Sequence, residues 1–252
     1  IAWDNELDGI PPSQVFAEDA VNEDPEQPGI QVTDWNPSSR WSAASQSSSA
    51  ILRFDLLVTT SVDTCAIFRT NQGATVTFQW STDNSTWNNF GSPLTVTNGG
   101  PFIVFQATPQ AARYWRVLFT GGTFTYSASH VFIGTALQMI RPPDDGLVRP
   151  KFSRSSSVRN ARAEDGGFIA RVAVERTYGT GAIKQSQTPL AWADSNWQGL
   201  WSHAFEKPFY WSYDTVGNAS DTAFCIADGE PPPLEQNRFH YSINLPVVMY
   251  YT

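Results

Sequence analysis

Four stretches in the first half of the chain decide how it folds: Asp34-Trp35-Asn36-Pro37-Ser38-Ser39-Arg40-Trp41, Ile51-Leu52-Arg53-Phe54-Asp55-Leu56, Ser81-Thr82-Asp83-Asn84-Ser85-Thr86-Trp87 and Ala112-Arg113-Tyr114-Trp115-Arg116-Val117. Around them lie short apolar runs at 50–56, 65–68, 74–80, 102–105 and 114–119, each bounded by Gly, Asn, Ser or Pro, the residues that turn a chain tightly. Val76, Phe78 and Trp80 fall on one side of a strand while Thr75, Thr77 and Gln79 fall on the other, the alternation of a half-buried antiparallel strand. Trp115, Val117 and Phe119 alternate in the same way with Tyr114, Arg116 and Leu118, so the first set is expected in the core. Arg113 and Arg116 are then left on the polar side, to pair with Asp55 or Asp83 as a device that holds the fold. Strands this short and this closely spaced read as a β-sandwich.

Composition agrees. The 252 residues include 10 Trp, 16 Phe, 17 Gly and 17 Pro, which suits many strands packed face to face and argues against a long helical bundle. A net charge of -8 argues against a nucleic-acid partner, because phosphate contacts need a basic surface. The charge is uneven. Nine acids precede Arg40 with no Lys or Arg among them, whereas Arg149, Lys151, Arg154, Arg159 and Arg162 stand in 148–163 with no acid. Solvated faces explain such a split; so does a subunit interface in which the basic arm meets the acidic face of a neighbour, with these five residues as its contacts. Cys65 and Cys225 are expected as buried thiols. No apolar run approaches the ~20 residues that span a bilayer, so no membrane insertion is expected. The first residues lack the basic and apolar regions of a secretory signal, although a chain starting at Ile1 leaves a removed leader open.

Beyond residue 136 the texture changes. Met139–Gly146 reads as a proline-rich linker, and the basic arm, poor in apolar residues, as an extended exposed segment. Gly166-Gly167 leads into an alternating run through Phe168, Ala170, Val172 and Val174. Thr188-Pro189 is a helix start, a capping hydroxyl followed by proline at the first helical position. Ala193, Trp197, Trp201 and Phe205 then form an apolar stripe. Pro208–Tyr213 and the alternation of Phe239, Tyr241, Ile243 and Leu245 read as strands. The expected class is mainly β: a sandwich over 1–136, opening with an irregular acidic segment to about Asn36, then a smaller β-rich α+β unit over 137–252.

Chemistry-bearing motifs are scarce. His130, His203 and His240 show no metal-ligand spacing, and neither a phosphate-cradling glycine loop nor a nucleophile elbow occurs. Asp144-Asp145 and Glu164-Asp165 are the carboxylate pairs to weigh for glycoside hydrolysis, but they sit in charged turns without aromatic neighbours that would raise an acid's pKa. A non-enzymatic protein without a cofactor is the expectation.

The four opening stretches, in their order, resemble the discoidin or F5/8 type C domain, a galactose-binding-like jelly roll. The resemblance implies a binding domain that recognises sugars with loops at one end of the sandwich, by an aromatic face and planar polar side chains. Two loops have that composition, and they nominate Trp35, Arg40, Asn88, Asn89 and Phe90 as glycan or partner contacts. Trp35 replaces the family's glycine, where it is expected to stack on a ligand or pack on a partner; Trp41 and Trp87 match scaffold positions. Related jelly rolls often hold a structural Ca²⁺, for which the acidic loop from Glu18-Asp19 to Asp24 offers oxygen ligands. The second half, through Leu147–Arg154, Gly166–Arg171 and Phe205–Tyr210, is similar to the distal-tail or baseplate-hub proteins of long-tailed bacteriophages. That similarity implies a virion tail-tip protein, assembled in the host cytoplasm as a ring, usually a hexamer, contacting the tail tube and other baseplate proteins, with the jelly roll gripping a neighbour or a host surface glycan. A secreted carbohydrate-binding protein and a polysaccharide-degrading enzyme are the alternatives.

Overall fold

The computed structural model describes residues 1–18, 24–36, 38–97, 100–140, 155–162, 168–176, 178–213, 221–228, 235–236 and 240–250. The protein is mainly β, and its frame is a pair of long antiparallel strands, Ala50–Phe68 and Phe102–Thr120. They pair from Ala50↔Phe119 to Asp55↔Tyr114, break register between Asp55 and Thr60 and again between Val62 and Thr64, and pair once more from Thr64↔Phe105 to Ile67↔Phe102. Leu57 takes a left-handed φ of 67° at the first break. Bulges of this kind bend a strand sharply. Each long strand therefore contributes one half to each sheet of a sandwich. The first sheet adds Val15–Glu18 on one side and Thr75–Ser81 on the other, edged by Asn88–Asn89 and Leu94–Thr95; the second adds His130–Ala136.

Between the sheets lie Trp41, Phe54, Phe78, Trp115, Val117, Phe119 and Tyr126, all essentially buried. Each such side chain contributes roughly 1.5–3 kcal/mol through removal from water. The alternation read at 75–80 and 114–119 holds: Val76, Phe78, Trp115, Val117 and Phe119 face inward. Trp80 packs only partly against the core. Arg113 makes a bidentate pair with Asp55, at 2.7 and 2.8 Å, and Arg116 donates to Gln79 Oε1 at 2.7 Å.

In the second half, the strands Phe209–Ser212, Thr222–Ala227, His240–Tyr250 and Tyr178–Pro189 pair antiparallel in that order. A helix packs on one face of this sheet, running as α over Leu190–Trp192, as π over Ala193–Trp197 and as α again over Gln198–Glu206. The buried stripe is Ala193, Trp197, Leu200 and Ala204, steps of four, three and four that follow the helical period. Trp201 is only half-buried and Phe205 is 60 % exposed, against the four-residue stripe expected from sequence. Thr188 does not cap: Pro189 occupies the N-cap, and the Thr188 hydroxyl turns back to Gln185 O and Oε1.

Ala2–Asn5, expected as part of an irregular entry segment, is the seam of the molecule. It pairs with His130–Ala136 on one side, and Ala2 pairs with Tyr210 on the other, so that one sheet of 13 strands, among the described residues, runs through both halves. Asn5 is buried and pins the seam: Nδ2 donates to Val131 O at 3.2 Å, and Oδ1 accepts from Ile133 N at 3.0 Å. A third core forms along this continuous sheet from Ala66, Phe68, Ile103 and Phe132 of the sandwich and Tyr210 and Phe224 of the second half.

Ser155–Arg162 is a strand paired with Phe168–Arg176 from Ser155↔Arg176 to Arg162↔Phe168. Arg159 and Arg162 of the basic arm thus stand in a two-stranded hairpin rather than an unpaired extended segment, while Arg149, Lys151 and Arg154 lie outside the described residues. Cys65 and Cys225 are free, buried thiols, both pushed up chiefly by burial. Among the described residues no helix is long and apolar enough to cross a membrane.

Candidate functional site

The registers define two ends of the sandwich. Ala50 opposite Phe119 and Thr75 opposite Thr120 mark one; Asp55 opposite Tyr114 and Ser81 opposite Tyr114 mark the other. At the first end Trp41-Ser42 pairs with Ser127-Ala128. Asp24 N donates to Ser42 O and Ser42 N to Gln27 O, which ties the 24–31 segment beside the 36–42 loop. Asn71 fastens the 121–126 loop by donating to Thr125 O at 3.0 Å and accepting from Ser127 N at 2.8 Å.

The 24–31 segment and the 36–42 loop line an open concavity of about 440 Å³, with Glu26, Gln27, Gln31, Ser38, Ser39 and Arg40 among its residues. Arg40 Nε donates to Gln27 Oε1 at 2.7 Å, and Gln27 Nε2 donates to Asp24 Oδ2 at 3.3 Å, so the guanidinium is held by a braced amide. Arg40 N donates to Gln31 Oε1 at 3.3 Å. The short 3₁₀ helix Gly29–Thr33 carries Gln31 to this position. Planar guanidinium and amide groups with two hydroxyls and a carboxylate supply fixed donors and acceptors at an exposed surface, the equipment for hydrogen-bonding vicinal hydroxyls.

Of the five contacts nominated from sequence, only Arg40 stands clear in this concavity. Trp35 is 8 % exposed: its indole stacks on His130 at 4.3 Å, meets His203 edge-on at 5.1 Å, and donates from Nε1 to both carboxylate oxygens of Asp8 at 2.9 and 3.0 Å. It fills the third core of its own chain instead of stacking on a ligand or packing on a partner. Phe90 is 1 % exposed and packs edge-on against Trp115, so its ring is core and not contact. Asn88 and Asn89 are exposed, but they pair with Trp80 and Gln79 at the other end of the sandwich. The two nominated loops therefore cannot form one site. Sequence reasoning missed Glu26, Gln27 and Gln31, three polar residues around Pro28-Gly29-Ile30 inside a stretch read as irregular.

A second cavity, about 600 Å³, lies where the halves meet, lined in part by Asp8, Ile10, Trp35, Glu206, Lys207 and Pro208. The ion pair Lys207 Nζ–Asp8 Oδ2 at 2.9 Å stands in its lining. Behind Trp35, His130 is fully buried with Tyr210 Oη 2.8 Å from Nδ1; burial, and secondarily the charge of His203, push its pKa down to about 3. At the far end, Asp83 accepts from Thr86 N, Ser85 N and the Ser81 hydroxyl, bonds that hold its carboxyl well below the usual range. Trp87 is half-buried beneath the Arg116 guanidinium, 4.2 Å from the ring centroid, and Trp41 is fully buried. Residues 19–23 of the candidate calcium loop and both carboxylate pairs, Asp144-Asp145 and Glu164-Asp165, lie outside the described residues. Among the described residues no group of three His, Cys, Asp or Glu is placed to hold a metal ion.

Residues 17–131 match the F5/8 type C domain family. No curated protein matches the chain in sequence. Among solved structures, chitosan-binding module 1 from the chitosanase/glucanase of Paenibacillus sp. IK-5 is similar at 17 % identity, covering 52 % of this chain and 99 % of that one, with a TM-score of 0.44. The family 32 carbohydrate-binding module of Clostridium perfringens NanJ, in complex with galactose, is similar at 16 % identity over 49 % of this chain and 96 % of that one, with a TM-score of 0.40. The family match spans the strands that frame the sandwich and stops short of the second half: this chain carries an F5/8 type C domain.

Proposed function

We propose that the protein is a non-catalytic carbohydrate-binding protein whose F5/8 type C domain takes a glycan in the loop-end concavity around Arg40. The observation that carries this reading is the braced guanidinium: Arg40 is fixed by Gln27 at 2.7 Å while remaining exposed beside Gln31, Ser38 and Ser39. Pre-ordered planar donors lose little side-chain freedom when they bind hydroxyls. A glycan array on the purified chain, followed by calorimetry on the hits, tests it. Arg40→Ala should weaken a hit about tenfold or more while leaving the thermal midpoint within a degree or two, because the residue is surface-exposed. Equal binding by Arg40→Ala would sink this site.

The tail-tip ring is the second reading, favoured by one feature. Tyr178–Pro189 closes the 13-strand sheet, and no strand pairs with its outer edge among the described residues. An edge of this length offers a row of backbone groups to a neighbouring subunit. Light scattering with negative-stain images separates the readings: a closed ring supports assembly at a tail tip, and a monomer at high concentration removes it.

A further inference from the structure

The loop-end concavity around Arg40 and the concavity between the halves meet at one residue, Asn36, which lines both. The 3₁₀ helix Gly29–Thr33 divides its side chains between them, with Gln31 in the first and Ile30 and Thr33 in the second. The far side of the second comes from the other half of the chain, from Glu206, Lys207 and Pro208 at the end of the helix Gln198–Glu206. At about 440 and 600 Å³, each is of a size that holds a small ligand. Asn36 is exposed, and its own loop sets it in place: its backbone N–H donates to Asp34 Oδ1 at 2.8 Å, and its Oδ1 accepts from Ser38 N at 3.0 Å. The side-chain oxygen is thus engaged, which leaves the two Nδ2 donors for a ligand that crosses from one concavity to the other.

The second concavity has a mixed lining. Ile10 and Ile30, both half-buried, offer apolar surface to the C–H face of a sugar, while Glu206 and Lys207 are an exposed acceptor and an exposed donor for its hydroxyls. Both signs of charge stand at each end, Arg40 with Glu26 in the first concavity and Lys207 with Asp8, Asp34 and Glu206 in the second. Such a lining opposes a polymer that carries one sign at every unit and suits an uncharged one. We infer that the two concavities form one path for an uncharged oligosaccharide several units long, in which the second half of the chain completes the site of the F5/8 type C domain. The inference rests on the Arg40 reading and extends it: Arg40 and Gln31 hold one end of the glycan, Asn36 bridges, and Glu206 and Lys207 take the other. Once the first unit is held, the next meets its partners at high effective concentration, so affinity grows with chain length.

Calorimetry of the full chain with gluco-, galacto-, manno- and xylo-oligosaccharides, each taken from one unit to six, tests the path. In a ladder that binds, affinity should rise about tenfold or more from the shortest member that binds to the longest. Glu206→Ala, at an exposed position, should remove about tenfold from the longest and leave the shortest unchanged. Should that variant fail to fold, Asn36→Asp, which keeps the acceptor for Ser38 N and loses the Nδ2 donors, must weaken the longest instead. Equal affinity along the ladder, or wild-type binding of the longest member by the folded variant, overturns the path and leaves the Arg40 site standing. Tighter binding of an oligogalacturonate or oligoglucosamine ladder than of every neutral one overturns it as well. Silence on every ladder also overturns the path, and the glycan array with Arg40→Ala then decides the Arg40 site separately.

Discussion

At the scale of single residues, tertiary position decided chemistry more than residue type did. Trp35 has the composition of a sugar platform and the position of a core plug: with its indole on His130 and its N–H on Asp8, it seals one side of the seam core. The consequence is a pH dependence. An unfolded histidine titrates near 6.5, whereas His130 in the fold is held to about 3, so the folded state binds fewer protons between those values. The sign is that of a depressed base: its contribution is complete above about pH 6.5, declines as pH falls toward 3, and levels off below that. His203, also lowered by burial, acts in the same direction. The slope from one such group is at most about 1.4 kcal/mol per pH unit. Urea unfolding at pH 7 and at pH 5 should therefore show a clear loss at the lower pH, and His130→Phe should flatten the difference. An equal drop in the variant would show that other groups carry the acid sensitivity.

At the scale of elements, what was legible followed from period and what was not followed from direction. The alternation through Val76 and Phe78, and through Trp115, Val117 and Phe119, fixed inward faces because a strand has a strict period of two. Arg113 finding Asp55 does not follow from the alternation, because Arg113 shares the parity of buried Trp115; the two meet where the register breaks after Asp55. The ends of the sandwich were not legible. Whether the loop at Arg40 and the loop at Asn88 meet depends on how two 19-residue strands bend at Asp55–Thr60, and a register break leaves no periodic trace. Phe90 shows the same gap: next to two exposed asparagines it reads as loop surface, yet its backbone N–H bonds to Phe78 O and turns the ring into the core. In the helix, the Ala193-Trp197 spacing was correct, but a strict step of four overruns the 3.6-residue period, so Leu200 and Ala204 are buried where Trp201 and Phe205 were expected. Gln31 became a site residue only through a five-residue 3₁₀ helix, too short to produce a pattern, and Gln27 only through the backbone bond its carbonyl accepts from Ser42 N.

At the scale of the whole molecule, the two halves are tied by a strand of four residues. Ala2–Asn5 carries the sheet from His130–Ala136 across to Phe209–Ser212, and the aromatic core of Phe68, Phe132, Tyr210 and Phe224 is completed only when both sides are present. Separation would expose Phe132 and Phe224 together with the unpaired backbone of both seam edges, a cost that binds the halves into one cooperative unit. Thermal unfolding followed by tryptophan fluorescence and by far-ultraviolet circular dichroism should then give a single coincident transition. Gly134 is the residue that tests the seam itself. A Cβ at this position would lie 2.1 Å from Asp4 O, backbone against backbone, with Phe132 close behind. Gly134→Ala must therefore push Ala2–Asn5 away from its neighbour, at a cost of about 1–3 kcal/mol, or several degrees in a chain of this size. If the seam couples the halves, the variant should lower the midpoint of the whole transition or split it into two, with the second-half tryptophans Trp197 and Trp211 reporting separately from those of the sandwich. A variant with an unshifted, still coincident transition would mean that the halves cohere through the aromatic core alone and that the four-residue strand is dispensable.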